Sequence, residues 1–165
     1  MIPLMVIILS FMLEGVLSIV FTFNTNLFAS TFCLLSLFFI YPFMKEKKNY
    51  IIISFILGII YDITYTGTIL LNAFIFLIIA FIIVKLYKTF QMNLFNIIII
   101  NICLIILYRF ITYLFLLTIN TNPFNIITLL ESIYSSLILN IIYILLTYFI
   151  LTRKECKKMM RNNKI

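Results

Sequence analysis

Four ionisable residues stand inside otherwise apolar stretches of this chain: Glu14, Asp62, Arg109 and Glu131. A charge at the centre of a bilayer costs about 2.5–3.5 kcal/mol on insertion scales, so such residues turn toward a bundle interior, a water-filled cavity or a partner. Two kinds of chemistry follow. The charges can form a polar relay that passes protons or cradles a substrate. Alternatively, a pair can lock helices together while the remainder snorkels outward. Histidine is absent, which removes the commonest general base and metal ligand. Cys33, Cys103 and Cys156 are spaced for neither a metal site nor a disulfide framework, although Cys156 lies where palmitoylation can occur. The structural or interaction role is favoured, and no catalytic residue, cofactor or metal is expected.

The elements that must position these residues follow from composition. Of 165 residues, 65% are apolar and 10% charged, against about 45–50% and about 25% in soluble domains. The mean hydropathy is +1.24. These values exclude a soluble enzyme, a nucleic-acid-binding module and a disordered tail, and leave an integral membrane protein. At about 20 residues per span, the chain holds about six spans. The apolar runs are 2–22, 27–44, 50–61, 69–84, 94–118 and 126–152. Barrel strands alternate apolar and polar residues over about ten positions, whereas these runs are apolar on every face, which predicts helices. The first run lacks a basic start and a small-residue cleavage site, so it is a retained helix and not a signal peptide. The similar strings FTFNTNLF around Asn24 and LTINTNPF around Asn120 are ascribed to chance in so biased a composition.

The expected fold is an all-α membrane protein, a bundle of six transmembrane helices over residues 1–152, with a basic cytoplasmic tail at 153–165. Orientation follows from the basic residues near helix ends. Of 12 Lys and Arg, only Arg109 is intramembrane. The other 11 (12 less one) are Lys45, Lys47, Lys48, Lys85, Lys88, Arg153, Lys154, Lys157, Lys158, Arg161 and Lys164. All fall on one side when both termini are cytoplasmic. The net charge of +7 is then a matter of topology and not of nucleic acid, and the tail favours anionic membrane lipids.

At about 1.5 Å per residue, Asp62 lies roughly 21 Å above Lys48, Arg109 about 24 Å above Asn93 and Glu14 about 18 Å above Ile2. These three share a level in the outer half, so Arg109 is expected to pair with Asp62 or Glu14. Glu131, about 33 Å from Arg153, belongs near the outer interface. Gly58, one turn before Asp62, permits close approach by another helix. The tyrosines near run boundaries, Tyr41, Tyr50, Tyr61, Tyr65, Tyr87, Tyr113 and Tyr148, suit an aromatic belt.

One stretch, FILGIIYDITYTGTILLNAFIFLIIAFIIVKLYK from Phe55 to Lys88, resembles the central hairpin of the rod shape-determining MreD family. The shared pattern is Gly58-x-x-x-Asp62, then Tyr65-Thr66-Gly67, then an apolar helix closed by Lys85 and Lys88. Glu14 and Asn140 also fall where that family tends to carry such residues. Ser135-Ser136 departs from a frequent Pro-Thr, and Arg109 matches no family motif. The resemblance implies a non-enzymatic, multi-pass protein of the bacterial cell membrane that serves cell elongation. Its implied partner is an MreC-like bitopic protein and, through it, MreB filaments and peptidoglycan synthases. The competing hypothesis is a substrate-binding subunit of an energy-coupling-factor vitamin transporter, whose fold is similar. Those subunits usually carry an Ala-x-x-x-Ala docking motif, which this chain lacks. A lipid-linked sugar transferase would need an acid-rich metal site or a loop base, and Asp62 is the sole acid of the outer connections. The candidate interface or intramembrane polar cluster is therefore Gly58, Asp62, Glu14, Arg109, Glu131 and Asn140.

The charge distribution makes a direct prediction about topology. A reporter active only outside the cytoplasm should respond when fused after Asn24, Thr66 or Asn122, and stay silent at Lys47, Asn93 and Lys164. Activity at Lys164 would overturn the assignment.

Overall fold

A computed structural model describes residues 2–20, 30–68, 70–119 and 126–151. The basic tail with Cys156 and both Asn-Thr-Asn connections lie outside the described residues. Six α-helices run in order: α1 Ile2–Val20, α2 Phe32–Ile40, α3 Lys47–Tyr61, α4 Leu71–Thr89, α5 Leu94–Ile119 and α6 Ile126–Leu151. A 3-10 turn, Tyr41–Phe43, follows α2, and a π turn, Asp62–Thr66, extends α3. Isoleucine and phenylalanine favour strands in water, but in an apolar medium a segment must satisfy its own backbone, and the helix does so.

The expected six helices are present, and among the described residues four segments are long and apolar enough to cross a membrane: Lys47–Thr66, Leu71–Thr89, Leu94–Phe115 and Leu129–Leu151. The run 27–44 yields a helix of only nine residues, and every side chain from Thr31 to Ile40 is buried. An apolar helix this short and this buried is a core element of the bundle. Pro42 ends it, because proline offers no N–H to the carbonyl four residues earlier.

The helices are arranged around α2. It packs against α1, α4 and α6, while α3 and α4 form a tight hairpin and α5 packs along α6. Phe38, Leu34, Leu35 and Leu37 of α2 meet Phe76, Ile79 and Ile83 of α4 and Ile105 of α5 in one buried cluster. Polar atoms at the C-terminal end of α2 are met by tyrosines. Phe38 O, which Pro42 cannot serve, accepts a hydrogen bond from the Tyr87 hydroxyl at 2.9 Å. Leu37 O accepts one from the Tyr50 hydroxyl at 3.0 Å. Tyr50 is wholly buried, so it and Tyr87 act as internal caps where an aromatic belt was expected.

The α3–α4 hairpin closes around Gly58. A Cβ placed there would stand 2.5 Å from Ala73 Cα, 2.8 Å from Ala73 N and 2.8 Å from Asn72 O. All three are backbone atoms, which cannot swing aside. The close helix approach expected of Gly58 is thus made with α4 of the same chain. Overpacking of this kind costs typically about 1–3 kcal/mol. Gly58→Ala should therefore lower the thermal unfolding midpoint of the purified protein in detergent, and Gly58→Leu should lower it further. A midpoint unchanged by both substitutions would contradict the packing described.

Candidate functional site: two acids seated on helix N-termini

The first N–H groups of a helix have no acceptor within it, and a side-chain oxygen at the N-cap normally supplies one. Neither α2 nor α4 has that local solution. Thr31 occupies the N-cap of α2 without a side-chain capping bond, and its buried Oγ1 has no partner. The N-cap of α4 is Leu70, which has no side-chain oxygen and sits at φ 62°. Each helix instead receives a carboxylate from an earlier element.

Glu14 of α1 serves α2. Its Oε2 accepts from the Cys33 N–H at 2.8 Å. Its Oε1 accepts from the Tyr61 hydroxyl of α3 at 2.7 Å. Glu14 is 3% exposed. Asn140 of α6, fully buried, completes the same end: its Oδ1 accepts from the Thr31 N–H at 3.0 Å, and its Nδ2 donates to Ser136 O at 2.6 Å. Alongside, the Ser10 and Tyr143 hydroxyls share a short hydrogen bond, and the Tyr143 ring stacks on Phe32 with centroids 4.6 Å apart.

Asp62 serves α4. Its Oδ1 accepts from the Asn72 N–H at 3.1 Å, Asn72 Nδ2 at 2.8 Å, Thr66 Oγ1 at 3.0 Å and Thr68 Oγ1 at 2.6 Å. Its Oδ2 accepts from the Ala73 N–H at 3.2 Å. The π turn permits this reach. Gly67 ends it at φ 61°, and its N–H returns to Asp62 O at 2.8 Å, so the chain doubles back and brings the first turn of α4 onto the carboxylate. Asn72 then links onward, since its Oδ1 accepts from the Tyr108 hydroxyl of α5 at 2.9 Å.

A negative charge at a helix N-terminus meets both the unpaired N–H groups and the positive end of the helix dipole. Glu14, Asp62 and Asn140 are therefore joined by role, two acids and an amide closing helix ends. The oxygens of both acids are filled by these donors. Arg109, half-buried, lies with its guanidinium carbon 5.8 Å from the Tyr108 ring centroid, a cation–π distance. Its charge also acts on Glu14 through space. Glu131 is exposed on α6, apart from this cluster. Sequence reasoning missed the donors Tyr61, Asn72 and Tyr108, and it missed Gly15, against which the Tyr65 ring lies as its hydroxyl donates to Phe11 O at 2.7 Å. For α4 the missed signal was Leu70, an N-cap without a side-chain oxygen. Ahead of α2, Thr31 is a residue type that ordinarily caps, and only the structure shows that it does not. Among the described residues, no group of three or more Cys, Asp or Glu is placed to hold a metal ion.

The described residues are helical, with four helices long and apolar enough to span a membrane, and buried acids close the ends of two of the helices, which defines the class of a helical membrane protein. The family model described as rod shape-determining protein MreD matches residues 1–154, and the chain belongs to the MreD family. Its role is that of a rod shape-determining membrane protein. No curated protein and no solved structure matches the chain.

The capping geometry sets an order of severity for substitutions. Each buried donor left without an acceptor costs about 1–3 kcal/mol. Glu14→Leu strands the Cys33 N–H and the Tyr61 hydroxyl, whereas Glu14→Gln keeps one acceptor oxygen. Unfolding in detergent should show Glu14→Leu much less stable than wild type and Glu14→Gln between them, with Asp62→Ala and Asp62→Asn in the same relation. Wild-type stability in Glu14→Leu would refute the capping role.

Proposed function

We propose that this protein is a non-enzymatic scaffold of the cell-elongation complex in the bacterial plasma membrane. In this role it engages an MreC-like bitopic partner and, through it, helps position MreB filaments and peptidoglycan synthases. The observation that carries the proposal is the match to the MreD family across residues 1–154. The geometry supports it. The buried polar groups that a transporter would turn toward a substrate are occupied here in closing helix ends, and a binding pocket needs several polar groups that remain available to a ligand. The energy-coupling-factor transporter subunit is accordingly the weaker alternative. Six membrane crossings with both termini inside remain part of this proposal, with α2 contributing as a buried element flanked by the connections on either side.

The partner surface is sought on the outward ridge of the hairpin and not at its interior. Ile52, Ile56 and Ile60 stand at four-residue spacing on α3 and are 46–48% exposed. Ile56→Trp with Ile60→Trp should leave abundance and thermal stability near wild type and reduce co-purification of the MreC-like partner. Cells depending on that variant should widen and round. Full partner recovery, normal shape and growth rescued by an external vitamin would overturn the scaffold assignment in favour of the transporter.

A further inference from the structure

Helices α4 and α5 are neighbours in sequence, and beyond the Tyr108–Asn72 hydrogen bond and the Phe76–Tyr108 ring contact their backbones approach at few points. Between them a cavity of about 280 Å³ opens to one side, lined by Ile82, Leu86 and Phe90 of α4 and its end, and by Ile100, Cys103 and Leu107 on α5. Its walls are almost wholly apolar. One end is closed by the short connection after α4, where Asn96 Nδ2 donates to Gln91 O at 2.8 Å. That end of the molecule is basic. Lys45, Lys47 and Lys48 precede or open α3, and Lys85 and Lys88 sit in the last turns of α4, against Glu46 alone among the acids there. Lys47 at the start of α3 and Lys88 in the last turn of α4 stand at this same end of the hairpin. Lys85 lies on the flank of α4 between that pair and the cavity, one turn from Ile82 and next to Leu86.

We infer that this groove holds an acyl chain of an anionic phospholipid, with its headgroup phosphate drawn to Lys85 and the neighbouring Lys47 and Lys88. Three features select this occupant. The walls offer an acyl chain apolar contact along two helices. The end of the groove that holds Phe90 and Asn96 is the end of α4 that carries Lys85 and Lys88. Lysines at that end attract an anionic headgroup, which a zwitterionic lipid supplies less well. Basic pockets between membrane helices recognise anionic headgroups by this combination of charge and depth. The occupant would tie α4 to α5, whose backbones approach at few points, and so fix the hairpin against the α5–α6 pair.

Native mass spectrometry of the full-length protein in mild detergent tests this, with phosphatidylglycerol and phosphatidylcholine offered at equal concentration. Wild type should retain one phosphatidylglycerol in preference to phosphatidylcholine. Lys85→Gln, a surface change without effect on folding, should cut that preference by about fivefold, the equivalent of about 1 kcal/mol per lysine at a charged surface. Cys103→Trp, which fills the groove from its exposed side, should remove the retained lipid while the unfolding midpoint measured without lipid stays near wild type. Equal retention of the two lipids by wild type would overturn the inference, as would undiminished retention by Cys103→Trp. A dimer mass lost in Cys103→Trp would overturn it too, and would assign the groove to a second copy of the chain. None of these outcomes depends on the MreC-like partner, so the inference and the scaffold proposal fail separately.

Discussion

In an apolar medium the N–H groups at a helix N-terminus have no water to turn to, and each one left unpaired costs several kcal/mol. The interior of this protein is organised around that constraint. Glu14 on α2 and Asp62 on α4 are two instances of one device, in which an acid from a preceding element supplies the cap that the local sequence omits. The pairing works both ways. A carboxylate inside a membrane is itself costly, and a helix N-terminus is among the few apolar-medium sites that stabilise it without a counter-cation. Arg109 lies against the Tyr108 ring, and its charge acts on Glu14 through space.

The two caps differ in range, and the difference shapes the fold. Asp62 acts within one hairpin and, together with the backbone contact at Gly58, makes α3 and α4 a unit. Glu14 and Asn140 draw α1 and α6 to the same end of α2, while Tyr50 and Tyr87 bring α3 and α4 to its other end. A nine-residue helix buried on all sides thus receives polar partners from four neighbours. The consequence is a centre held by directional bonds, in a setting where apolar contacts alone discriminate weakly between alternative packings, since lipid tails are as apolar as leucine.

Helical class, the identity of the buried acids and the Gly58–Asp62 relation were legible in the sequence, because hydropathy and isolated charges are local signals. The burial of α2 was not. The run 27–44 has the composition of a span, and only its burial on all sides and its end at Pro42 show a core helix. The depth argument placed Glu14, Asp62 and Arg109 at one level and chose ion pairing, because it counted charges and ignored backbone donors. Had Leu70 ahead of Asn72 been considered as a missing cap, Asp62 would have found its helix end, whereas Thr31 ahead of α2 gave no such signal for Glu14. Tyr50 and Tyr87 were read from their position near run boundaries, where an interfacial ring and a buried cap look alike. Asn140 was noticed by family resemblance, but its partner lies 109 residues away and no local pattern announces it.

That last separation bears on how the protein is made. Chains emerge from the ribosome N-terminus first, at about 5–20 residues per second. The segment that becomes α2 therefore enters the membrane environment well before the residue that will accept from Thr31 has been synthesised. Glu14 is already present by then and Tyr50 follows soon after, but Tyr87 and Asn140 come later. A helix of nine residues is far too short to stand alone across a bilayer. It must be sheltered by the insertion machinery, or by α1, until α6 arrives. Truncation after α5 would thus release a chain whose most buried element has an open end, a form suited to capture by membrane proteases. The last polar contact of α2 to form is thus the one that spans most of the chain.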